Sequence, residues 1–131
     1  MTQTDRSDTD ARIDVAVEIE YLEAQSEPES DNYAFAYRIT VSNRGATTVQ
    51  LLSRHWLIID SNQRQREVSG VGVVGEQPYI SPGASYTYTS GAVIDTPIGT
   101  MQGSYQLVDS DGESFDAEIK PFLLATPHQV N

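Results

Sequence analysis

The chain has 131 residues, 19 acidic against 8 basic, for a formal net charge of -11, and it contains no cysteine. That length supports one domain with its own core, burying about two thirds of the surface its unfolded chain exposes. The charge opposes nucleic acid and anionic lipid, and the missing thiols exclude disulfides, thiolate metal sites and cysteine nucleophiles.

In chain order, residues 1–11 hold Thr, Ser, Gln, Asp and one Arg with no apolar stretch, which reads as a disordered acidic tail and not a signal peptide. Ile13, Val15, Val17, Ile19 and Tyr21 alternate with Asp14, Glu18 and Glu20, the period of a half-buried strand over residues 12–22. A solvated loop with Pro28 follows. Tyr33, Phe35, Tyr37, Ile39 and Val41 repeat the alternation, and Asn43-Arg44-Gly45 supplies a turn. Residues 49–59 are apolar on both parities around Trp56, as in a central strand or one that holds a bulge, so the face of Trp56 stays open.

Asp60-Ser61-Asn62-Gln63 reads as a hairpin turn into a strand over residues 64–70. Then comes Gly70-Val71-Gly72-Val73-Val74-Gly75-Glu76-Gln77-Pro78, a glycine-rich phosphate-loop pattern. A phosphate loop opens a helix whose N-terminus meets the anion, whereas Pro78 and Ser81-Pro82-Gly83 follow here and no helix can start. A glycine-kinked corner between strands is the expectation. Strands around Ser85 to Val93 and Met101 to Leu107 come next, then a polar tip at Asp109-Ser110-Asp111-Gly112 and a last strand through Phe115, Ala117 and Ile119. No segment has helical apolar spacing, and no apolar run reaches the about 18 residues of a membrane span. Tyr33, Phe35, Tyr37, Ile39, Trp56, Tyr105 and Phe115 are the expected core aromatics and aliphatics.

Tyr33-Ala34-Phe35-Ala36-Tyr37, Leu51-Leu52-Ser53-Arg54-His55-Trp56, Glu67 to Pro78, Tyr88-Thr89-Ser90-Gly91 and Thr96 to Gly103 resemble the bacterial ApaG family in order and spacing. The resemblance spans residues 12–126 and implies a fibronectin type III-like domain, followed by a short C-terminal tail at 127–131. The fold expected is therefore all-β, an antiparallel two-sheet immunoglobulin or fibronectin type III-like β-sandwich of about seven strands. The family is often encoded beside a diadenosine tetraphosphate hydrolase and is reused in some F-box proteins and in a DNA polymerase delta interacting protein. It implies no established reaction, and its legacy association with cobalt and magnesium efflux can be only indirect for a chain without a membrane segment.

Chemistry is sparse. His55 and His128 are the two histidines, which with no Cys gives no zinc pattern, and Asp109 to Glu113 lacks the spacing of a calcium loop. No nucleophile elbow is present, so neither a catalytic role nor a cofactor is expected. The candidate site is the corner itself, Gly70, Val71, Gly72, Val73, Val74 and Gly75, with Arg54, His55 and Arg66 as possible anion contacts. Two uses compete there: docking of an unidentified protein partner on exposed valines, and an anion nest for a phosphorylated small molecule. Unshielded valines suit the first, while the same valines capping the core would suit neither. The expected localisation is the cytoplasm, and the excess of Asp and Glu over a single lysine, Lys120, suits a salty one. Composition leaves the oligomeric state open.

Overall fold

A computed structural model describes residues 11–127, so both expected tails, and His128 with them, lie outside the described residues save for Ala11 and Pro127. The alternating segments become β1 (Ile13–Tyr21), β2 (Tyr33–Asn43), β3 (Val49–Asp60), β4 (Gln65–Val71), β5 (Tyr79–Ile80), β6 (Ser85–Ile94), β7 (Ile98–Asp109) and β8 (Ser114–Ala125). All pairings are antiparallel. One sheet has the order β1-β2-β6; the other runs β4-β3-β7-β8, with β5 alongside β3. The two close on each other as an all-β sandwich.

β5 is the strand that the sequence hides. Tyr79-Ile80 lies between Pro78 and Pro82 and reads as turn, yet two residues suffice to pair with Gln50 and Val49 and to seat Ile80 in the core. The loop after β1 holds two short 3-10 turns, Glu23–Gln25 and Pro28–Ser30, the second closed by Asp31 at φ 55.

β3 is both central and bulged. It lies between β4 and β7, and its register with β7 shifts between Leu51 and Ser53, leaving Leu52 as the extra residue. That shift explains the apolar run on both parities, and it sends Trp56 inward. The indole meets Tyr37, Tyr105 and Phe122 edge-on at 5.5, 6.4 and 5.9 Å between ring centroids. Phe35, Ile39, Leu107 and Ile119 complete the interior, while Tyr33 and Phe115 pack half-buried at its margin. Each large side chain so buried stabilises the sandwich by about 1.5–3 kcal/mol relative to exposure.

Two hairpin tips share one design. Asp60 Oδ1 accepts the N–H groups of Asn62 and Arg64, and Asp109 Oδ1 accepts those of Asp111 and Glu113. In each, the backbone also closes from the fourth residue onto the aspartate carbonyl, Gln63 N to Asp60 O and Gly112 N to Asp109 O. The closing residue is left-handed in both, Gln63 at φ 66 and Gly112 at φ 82.

Candidate functional site

The chain leaves the sheet at the end of β4, and the glycine pattern then folds into a tight two-residue hairpin. Val73 N donates to Glu76 O and Glu76 N to Val73 O, with Val74 at φ 42 and Gly75 at φ 84 between them. Positive φ at both central residues is the mirror-image turn that suits Asn-Gly, and a β-branched valine at the first position is strained there. Gly72, at φ 66, has its amide on Leu52 O, and a Cβ would collide with the Glu76 carbonyl oxygen.

The valines divide. Val73 is 0% exposed and joins the core, whereas Val71 is 75% and Val74 53% exposed, with Tyr79 at 74% a few residues on. The corner is thus a core cap at one valine and a projecting apolar feature at two others. Plain alternation would put Val71 and Val73 on one face; Gly72 at φ 66 between them breaks it, so Val73 turns between the sheets while Val71 stays outside.

Of the three cations Arg54 alone bonds to the corner, and it does so through carbonyl oxygens. Arg54, opposite Gly70 in the β3–β4 register, donates from Nη1 to the carbonyls of Gly72 at 2.8 Å and Val71 at 3.3 Å. Its donors therefore face carbonyl oxygens. His55 faces the outer side of the sheet, its Nδ1 2.8 Å from Ser69 Oγ and its Nε2 3.3 Å from Glu67 Oε1. Arg66 Nη2 donates to the Val93 carbonyl of β6 at 3.0 Å, along the opening between the sheets.

A shallow depression of about 460 Å³ joins His55 to Arg54, Gly70 and Val71 of the candidate site, with Ser53, Ser69, Ser104 and Gln106 completing its lining. Ser53 Oγ donates to Gln106 Oε1 and Gln106 Nε2 to Ser104 Oγ. Sequence spacing could not reveal the Ser69-His55-Glu67 arrangement, because pairing of neighbouring antiparallel strands brings these residues together. Its signal is legible only in hindsight, as Glu67 and Ser69 two apart on a strand whose partner carries a histidine.

At the same end of β3 as the corner, across from Val49, the Asp109 carboxylate sits under Arg12, whose Nη1 lies 3.3 Å from Oδ2 and whose guanidinium stacks 3.9 Å above the Phe115 ring. The Glu113 and Asp111 amides, with Arg12, hold its acidity on the strong side of the usual carboxylate range. Among the described residues, no group of three or more His, Cys, Asp or Glu side chains is placed to hold a metal, and no helix is long and apolar enough to cross a membrane.

Comparison with known proteins places this geometry. The ApaG domain family matches residues 23–109, which include the glycine corner and all its contacts. The protein ApaG of Pseudomonas putida is 58% identical over 121 residues, 92% of this chain and 96% of its own length. A crystal structure from Bordetella pertussis, named as an ApaA protein, superposes with a TM-score of 0.86 at 45% identity, covering 88% of this chain and 94% of that one. The X-ray structure of a Northeast Structural Genomics Consortium target gives 0.85 at 52% identity, covering 88% of each chain.

Proposed function

This chain belongs to the ApaG domain family, and on that premise we propose that it is a non-catalytic protein-interaction module whose docking surface includes the glycine corner. The observation that carries the reading is the division of the valines. Val71 and Val74 project at 75% and 53% exposure while Val73 alone fills the core. Holding a β-branched residue at positive φ costs on the order of 1–3 kcal/mol, and Val74, more than half exposed, recovers only part of it through burial. Strain kept at an exposed apolar side chain is the mark of a contact made with something else. A net charge of -11 favours a basic partner.

The Ser69-His55-Glu67 arrangement does not alter this reading. It lies on an open sheet face, and the triad chemistry of serine hydrolases draws on a water-excluding cleft and preorganised oxyanion donors. A phosphorylated ligand at the corner has less support, since the amides of Gly72, Val73 and Glu76 already donate to carbonyls and Arg54 does the same. The test is capture from a cell lysate with wild type and with Val71→Ser/Val74→Asn. Proteins held by the first and lost by the second, at an unchanged or higher melting temperature, support the reading; a variant that retains every captured protein overturns it.

A further inference from the structure

β4 ends the five-stranded sheet on one side. Two hydrogen bonds show which of its backbone groups are spent: Asp60 N donates to Arg64 O before the strand, and Gly72 N to Leu52 O after it. Antiparallel ladders alternate between these ends. Arg66, Val68 and Gly70, opposite Ile58, Trp56 and Arg54, therefore aim their N–H and C=O at β3, and Gln65, Glu67 and Ser69 aim theirs away from the sheet.

Natural sheets blunt such an edge with lysine, proline or a bulge. β8, at the other end of this sheet, carries Lys120-Pro121 and a register shift against β7. β4 carries neither residue and pairs with β3 in unbroken register. Its two charged side chains fold back onto the protein, Arg66 onto Val93 O and Glu67 onto His55. Val68 is 37% exposed, and next to Gln65 and Arg66 a cleft of about 260 Å³ has Ile58 and Ile94 on its walls together with Asp60, Arg64 and Asp95.

We propose that β4 is a strand-addition site: an extended segment of a partner protein, alternating apolar residues with Lys or Arg, pairs with Gln65, Glu67 and Ser69 and lengthens the sheet. Main-chain bonds supply the pairing, an apolar side chain of the segment covers Val68, and basic ones stand across from Glu67. The charge of -11 selects a basic segment and disfavours a second copy of this chain. The proposal rests on the interaction-module reading and gives it a binding mode.

The test uses the isotope-labelled full chain and a capped peptide of about nine alternating Lys and Val residues, long enough to span the edge. Saturable amide shifts at Gln65, Glu67 and Ser69, with their exchange slowed about tenfold, are expected, and a Glu-Val peptide should leave these amides unmoved. Ser69→Pro removes an outward N–H without touching the β3 ladder and should weaken binding about tenfold, while Ser69→Ala keeps the N–H and the affinity. If Ser69→Pro does not fold, Glu67→Lys serves instead and should weaken binding of the Lys-Val peptide about tenfold. Shifts centred on β6 or β8, equal binding of both peptides, no binding, or self-association through β4 would each overturn the proposal. Peptide failure alongside a partner still lost on Val71→Ser/Val74→Asn removes only the strand-addition mode; failure of both removes the interaction module as well.

Discussion

The guanidinium of Arg54 lies across Gly70, so close that a Cβ on the glycine would stand 2.7 Å from Nη1. The two residues are register partners, and the missing side chain is the path by which Arg54 reaches the carbonyls of Val71 and Gly72 beyond the strand. One glycine in the pattern therefore serves an arginine brace and not a phosphate.

Gly70→Ala should displace the brace. The arginine tip is flexible and can move, so the fold survives, but two charge-assisted hydrogen bonds to the corner are lost or lengthened. A loss of about 1–2 kcal/mol in chemical denaturation is expected. Arg54→Met should cost a similar amount, and the double substitution should cost much less than the sum. Additive losses would show that the two residues act independently.

The hydroxyls of Tyr88 and Tyr105 hydrogen-bond to each other in the interior. Burial pushes both phenols far above their usual acidity range, so they stay protonated at any working pH. Tyr105→Phe should leave the Tyr88 hydroxyl buried and unpaired at a cost of about 1–3 kcal/mol, whereas the double replacement by Phe removes both partners and should cost less than either single change. Urea titration followed by the fluorescence of Trp56 measures the cycle, and strictly additive costs would mean that the bond contributes nothing.

Of the three left-handed positions without glycine among the described residues, Gln63 at φ 66 and Val74 at φ 42 should both accept better residues. Gln63→Gly copies Gly112 in the twin hairpin, and Val74→Asn makes the Asn-Gly turn that such backbone favours. Each is expected to raise stability by about 0.5–1 kcal/mol. Unchanged melting temperatures would indicate that the backbone relaxes its strain without help.

Asp109 links stability to acid. Its folded pKa is depressed by the Glu113 and Asp111 amides and by Arg12. Its contribution is therefore present above the unfolded carboxylate pKa of about 3.9 and is lost as pH falls through the lower folded value. Asp109→Asn should lower the melting temperature at neutral pH, and the gap to wild type should narrow as the pH falls below about 4. A gap independent of pH would assign the loss to packing.

Much of the fold is legible in the alternation of β1, β2, β6, β7 and β8, because one face of each is buried and period two is then enforced. Trp56 escaped because the Leu52 bulge changes parity in mid-strand, and Tyr79-Ile80 escaped because a two-residue strand between prolines carries no periodic signal. At the corner the absence of a phosphate-binding helix could be read from the prolines. The division of Val71, Val73 and Val74 could not, since glycines at φ 66 and 84 set the direction of each side chain through backbone angles that spacing does not encode. Ser69-His55-Glu67 lay equally out of reach, depending on the register of β3 against β4.

If the projecting valines bind a partner while the buried one holds the fold, the two roles separate when affinity for a captured partner and melting temperature are measured on wild type, Val71→Ser/Val74→Asn and Val73→Ser. The double variant should lose about tenfold or more in affinity at an unchanged or higher melting temperature, and Val73→Ser should lose about 1–3 kcal/mol of stability. A double variant that binds as wild type does, or one that melts as low as Val73→Ser, would contradict that separation.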